Sequence, residues 1–191
     1  MKIHIALATV ALLGVGMSAP ASAQTTTDAG KAVTVGGAPM YPSRNIVQNA
    51  VNSKDHTTLV AAVKAAGLVD TLQSPGPFTV FAPTNKAFGK LPKGTVETLV
   101  KPENKTTLTG ILTYHVVPGR YTAQYLMALV ARGEGQAMLT TANGEQLTIK
   151  QSGRNRLVVT DRKGDQAVIT IPNVLQSNGV IHVVDTVLLP S

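Results

Sequence analysis

Three residues near the end of the chain have the types a hydrolase needs: Ser177 to attack, His182 to take its proton and Asp185 to orient the ring. Their spacing speaks against the chemistry. In an extended strand Val180, His182 and Val184 share one face while Ile181, Val183 and Asp185 share the other, so His182 and Asp185 point apart. Ser177 also lacks the Gly-x-Ser-x-Gly surroundings of a nucleophile elbow. After the first 23 residues the only histidines are His56, His115 and His182, too far apart for a metal-ligand pattern. There is no cysteine, which removes thiolate nucleophiles, disulfides, Cys-ligated metals and a lipid carried on an N-terminal Cys. These residues point to a chain that binds and does not catalyse, with no cofactor implied.

Charge is the other chemistry available. The sequence holds 17 Lys and Arg against 10 Asp and Glu, a formal charge of +7 that becomes about +6 without Lys2. Polyanions are therefore admissible partners. Between Lys150 and Asp165 the basic residues Lys150, Arg154, Arg156, Arg162 and Lys163 face only Asp161 and Asp165. Turn signals at Ser152-Gly153 and Lys163-Gly164 put Arg154, Arg156, Arg162 and Lys163 at or near two hairpin loops, where long cationic side chains are free to meet an anionic polymer. Nucleic acid fits poorly, because no Lys/Arg cluster is interleaved with aromatics and the chain has only three Phe and four Tyr.

The elements that position these groups follow from the pattern. Lys2, an apolar run from Ile5 to Gly16 and the triplet Ala21-Ser22-Ala23 form a secretory signal predicted to be cut before Gln24, and no later stretch is long enough for a membrane span. Residues 24–42, rich in Thr, Gly, Ala and Pro, are expected as a flexible lead-in, with one domain over 43–191. Ser43 is expected to cap a helix over Asn45 to Val51. Asp55 caps a second one, in which Leu59, Val63 and Ala66 keep helical spacing and Gly67 stops the run. Phe78 to Ala82 reads as a strand with Phe78, Val80 and Ala82 on one face and Thr79 and Phe81 on the other. It feeds a helix capped by Thr84 or Asn85. Leu108, Ile111, Leu112 and His115 mark a further helix after Pro102, and Thr122 to Ala131 another. After Gly135 short alternating runs between turns at Asn143-Gly144, Ser152-Gly153, Lys163-Gly164 and Asn178-Gly179 predict a β meander. Helices followed by strands give the class α+β.

Three segments in order carry a family resemblance: Gly76-Pro77-Phe78-Thr79-Val80-Phe81-Ala82-Pro83-Thr84-Asn85-Lys86-Ala87-Phe88, then Leu112-Thr113-Tyr114-His115-Val116-Val117-Pro118-Gly119, then Asn178-Gly179-Val180-Ile181-His182-Val183-Val184-Asp185. The chain resembles the fasciclin domain family. The resemblance implies a wedge-like β-sandwich of two sheets flanked by helices, used for adhesion. Phe78, Phe81, Thr84, Asn85, Phe88, His115, Gly179, His182 and Asp185 are then expected to be structural. In this family the Tyr-His region is tied to adhesion as well as folding, which makes Tyr114 the candidate for outward contact. Where animal relatives carry a Pro-Asp-Ile segment implicated in integrin binding, this chain has Pro172-Asn173-Val174. Asn173 and Val174 thus occupy a contact position without the carboxylate that completes a metal shell. Lys163-Gly164-Asp165 displays such an acid on a turn.

The function implied is an exported adhesion or extracellular-matrix interaction module, secreted or periplasmic, whose partner is a surface protein or a polysaccharide. The alternative is a carrier of a small apolar ligand such as a pigment, as some family members are. Tyr121, Tyr125, Leu126, Met127 and Leu129 would line its groove.

Overall fold

The computed structural model describes residues 31–154 and 156–191, so the expected signal segment and the start of the lead-in lie outside the described residues. Residues 33–40, expected as part of a flexible lead-in, instead form a hairpin of β1 (Val33–Val35) and β2 (Ala38–Met40). The reason is packing: Val35 and Met40 are each only 1% exposed in the helix-side core. The turn also docks. Gly36 lies at φ +58°, accepts the Lys54 N–H at 3.2 Å, and has Ser53 Oγ where a Cβ would stand.

Helix α1 (Ile46–Ala50) starts one step later than expected. Asn45, not Ser43, caps it, in a capping box with Gln48. A 3₁₀ turn over Lys54–His56 takes up Asp55, so α2 (Thr57–Ala66) begins just after it and ends, as its sequence demands, at Gly67 in the left-handed region. Then come α3 (Val69–Gln73), β3 (Phe78–Pro83), α4 (Asn85–Phe88) with Thr84 as its cap, and α5 (Thr95–Leu99). Asn85 is not a cap: its side chain accepts the Thr58 N–H and donates to Lys54 O, bolting α4 to the start of α2. Helix α6 (Lys105–Tyr114) leads into β4 (Val116–Pro118), and α7 (Ala123–Arg132), capped by Thr122, precedes the meander.

Strands β5 (Gln136–Thr140), β6 (Gln146–Ser152), β7 (Arg156–Thr160), β8 (Gln166–Gln176) and β9 (Gly179–Val184) complete a seven-stranded sheet in the order β4-β3-β9-β8-β7-β6-β5. Only β3 and β9 run parallel. The two sheets of the expected wedge are one sheet folded at β8. Its first residues pair with β7, its later ones with β9, and register shifts near Ile171 make the bend. The curl almost closes, since Ala142 beyond β5 donates to Val116 O on β4 at 2.7 Å.

Because successive strand side chains alternate, this sheet separates two cores. Val80, Ala82, Ile181 and Val183 face α1 to α6, where Leu59, Phe88 and Leu108 meet them. Phe81, Leu147, Ile149, Val159 and Val184 fill the inside of the curl, and α7 closes it with Leu126 and Val130. Phe81 is fully buried, so β3 is covered on both sides, as its sequence requires.

Candidate functional site

The three signature segments become β3, the α6–β4 junction and β9, which lie side by side in the sheet. Their polar groups are spent on the protein itself. His115, 2% exposed, donates from Nδ1 to Ile111 O at 2.8 Å and accepts the Leu188 N–H on Nε2 at 3.0 Å. Burial pushes its pKa down to about 4 against the pull of the Ile111 carbonyl and of Asp161, so the ring is neutral. His182 is equally enclosed. It stacks on Phe81, accepts the Asn173 N–H on Nδ1 at 3.3 Å and donates from Nε2 to Tyr121 O at 2.7 Å, and burial lowers its pKa as well.

With both ring nitrogens occupied by backbone, His182 has no path to a proton on Ser177. Asp185 is also committed elsewhere, accepting from Val168 N at 2.8 Å and lying 3.5 Å from Lys90 Nζ. Burial would raise its pKa, but the Val168 N–H, the Thr186 hydroxyl and Lys90 together lower it. The three hydrolytic types form no constellation here.

Two expected contact residues are inside. Tyr114 is 0% exposed, its ring in the curl and its hydroxyl accepting from Arg162 N and donating to Gln146 O at 3.2 and 3.1 Å. Helix α6 ends at Tyr114, and the next residue caps it, so Tyr114 and His115 are buried on different sides of the chain. Val174 is 0% exposed in the helix-side core and equally withdrawn. Asn173 is half-buried at φ +59°, a conformation Asn tolerates, and serves α7. Its Oδ1 accepts the Ala123 N–H at 2.7 Å and its Nδ2 donates to Gln124 at 2.9 Å.

The four loop cations remain exposed, but they do not converge. Arg154 and Arg156 stand at the start of β7 and Arg162 and Lys163 beyond its end, about 15–20 Å away at strand rise. Asp161 makes no ion pair with the second pair: its residue is 5% exposed and its carboxylate accepts the N–H groups of Lys163, Asp165 and Leu189. The same bonds shape the turn that carries Asp165. The first pair borders an open cleft of about 810 Å³ between α7, the β6–β7 hairpin and β8. Gln124 and Met127 form one wall, Arg154 and Arg156 the other, with Thr170 and Pro172 between. No periodicity marks this cleft in sequence, since three distant segments build it.

A carrier site is less well provided. Leu126 is 0% exposed inside the curl, and Tyr121 and Tyr125 stack on each other at 5.7 Å. An apolar cavity does lie under α1 to α3, lined by Met40, His56, Leu59, Val63 and Leu72, but it measures about 50 Å³. His56 Nε2 is buried there with no hydrogen bond. Burial lowers its pKa, and the Ala82 backbone and Asp55 pull it partly back.

The comparisons with known proteins agree with this geometry. The fasciclin domain profile matches residues 54–190. The chain is similar to Protein sll1483 of Synechocystis sp., 46% identical over 179 residues that cover 93% of this chain and 89% of that protein. It is also similar to Immunogenic protein MPB70 of Mycobacterium bovis, 32% identical over 197 residues covering 97% of this chain and 93% of the relative. Among solved structures it matches a FAS1 domain pair from the insect cell adhesion molecule Fasciclin I. That match has a TM-score of 0.67 at 20% identity and covers 83% of this chain and 57% of the other.

Proposed function

The chain belongs to the fasciclin domain family, and from that membership we propose that it is an exported, non-catalytic module for adhesion or for contact with the cell surface or extracellular matrix. One observation carries the reading. The signature residues bury their polar groups against backbone, so whatever the protein does is left to exposed loops and the open cleft, which suits binding of large partners. The insect cell adhesion molecule that shares the fold supports the same class. Export rests on the signal-like segment before Gln24. Among the described residues no helix is long and apolar enough to cross a membrane.

The carrier reading has less support, because ligand pockets usually run to roughly 300–1,000 Å³ and the apolar cavity measures about 50 Å³. The test is a pull-down with the processed protein against the producer's envelope fraction and extracellular polymer, with mass spectrometry of the protein's own N-terminus. Retention on a defined surface component and a start at Gln24 are expected. No retention, together with a pigment absorbance in protein purified from its host, would overturn the reading in favour of the carrier.

A further inference from the structure

We propose that the cleft beside the first turn of α7 docks an extended acidic segment of a partner protein. Carboxylates meet Arg154 and Arg156, and apolar side chains settle on the floor between Met127 and Pro172. The proposal rests on the interaction-module reading and narrows it to one surface and one ligand chemistry.

Charge is the first reason. Arg154 and Arg156 both line the cleft, and no acidic residue is among the described residues that line it. Among the described residues the one ion pair is Lys90 with Asp185, so neither arginine has a carboxylate within 4.0 Å. A guanidinium fork binds a carboxylate through two parallel hydrogen bonds, and two forks one residue apart suit a chain that carries acids at intervals.

Order is the second. The Gln151 amide donates to Gly153 O at 3.1 Å and to Arg154 O at 2.8 Å, which fixes the turn from which Arg154 projects. On the facing wall the Asn173 amide ties β8 to Ala123 and Gln124 of α7. The Arg154 end of one wall and the β8–α7 wall are held before a ligand arrives, so less backbone freedom is lost there on binding.

The floor decides between partner classes. Half-buried Met127 and exposed Pro172 supply its accessible apolar surface above the buried Leu157 and Ile169, and no aromatic ring is among the described residues that line it. Sugar rings pack best on flat aromatic faces, whereas aliphatic and thioether surfaces accept Leu, Val or Met side chains and adapt to their shape. A peptide that mixes acids with aliphatic residues matches floor and walls together. A uronic-acid polysaccharide matches the arginines alone.

The experiment is fluorescence anisotropy of a short fluorescein-labelled peptide alternating glutamate and leucine, titrated with the processed protein across a salt series. Expected is saturable binding that weakens about tenfold or more in Arg154→Ala/Arg156→Ala, the loss of two charge-assisted contacts. Arg162→Ala/Lys163→Ala, at the far end of β7, should change it less than about twofold, because exposed charges there are screened over roughly 8–10 Å. Melting curves check that both variants fold. Equal weakening by the two double variants would reduce the effect to general charge and overturn the site. So would undiminished binding of a peptide with serine in place of leucine, or displacement by polygalacturonate at matched charge, which assigns the cleft to polysaccharide. If the wild type ignores the peptide yet is retained on the envelope fraction, the cleft fails and the adhesion reading stands. If it binds the peptide and no envelope component retains it, the reverse holds.

Discussion

His115 Nε2 accepts the backbone N–H of Leu188 at 3.0 Å, joining the C-cap of α6 to the segment that follows β9, 73 residues further on. That bond exists only while the ring is neutral. The folded pKa is about 4 against 6.5 for the free side chain, so between these values the unfolded chain binds the extra proton. Stability from this group is therefore complete above about pH 6.5 and is lost as pH falls towards 4, by on the order of 3 kcal/mol in total. His56 and His182, also lowered by burial, act in the same direction. Urea unfolding at several pH values measures the slope, and His115→Asn should flatten it. A stability that stays level from pH 7 to 4.5 would contradict the assignment.

Replacing Tyr114 by Phe keeps the ring inside the curl but strips the Arg162 N–H and the Gln146 carbonyl of their partner. The expected cost is about 1–2 kcal/mol, with partner binding unchanged wherever the protein is folded. Thermal melts alongside an envelope-retention assay separate the two. Lost retention at unaltered stability would return Tyr114 to the surface role its sequence motif implies.

Asn178 is 5% exposed and makes three side-chain bonds: it accepts from Ile46 N at the start of α1 and donates to Leu72 O and Ser74 O at the end of α3. One side chain thus pins two helix termini to the β8–β9 turn. Asn178→Ala should cost about 2–4 kcal/mol, since the Ile46 N–H is left buried and unpaired. Gly179→Ala should cost at least as much, because its added methyl group would overlap the Phe78 carbonyl on the neighbouring strand. Denaturant midpoints for both variants decide this, and near-wild-type values would mean the junction relaxes easily.

Asn173→Asp restores the acid that the related animal segment carries. The new carboxylate would still accept the Ala123 N–H, now at the positive end of a ten-residue helix, while the Gln124 amide turns to donate. Stability should hold or rise by about 0.3–1 kcal/mol. The oxygen stays engaged, so the variant should gain no divalent-metal-dependent binding to an integrin, as surface plasmon resonance would register.

Much of this architecture is readable from residue order. Helical spacing around Leu59 and Val63, the Pro-bounded β3 and the Gly-containing turns of the meander each express a local rule, and each element stands where that rule puts it. The β1–β2 hairpin is not readable, because two three-residue strands joined by Gly36-Gly37 are too short to show a period. Their order comes from docking on Ser53 and Lys54. The burial of Tyr114 is unreadable for a related reason. Adjacent residues at a helix end point to different sides, and on a chain enclosed all round both sides are interior. The same enclosure explains Asn49 and Gln176, polar types that pair with each other in the core through 127 residues of intervening chain. The cleft is a tertiary object: Arg154, Arg156, Asn173 and Met127 stand out in the sequence separately, and only the fold brings them to one surface.

The parallel pairing of β3 with β9 brings Phe78 beside Gly179 across roughly a hundred residues, and β9 stands between β3 and the rest of the meander. A chain emerging from its N-terminal end can form helices and hairpins as it goes. It cannot close the centre of its sheet until Gly179 to Val184 has appeared. Until then β3 has β4 on one edge and no strand on the other, so the last regular strand of the chain is the one that joins the two halves of the sheet.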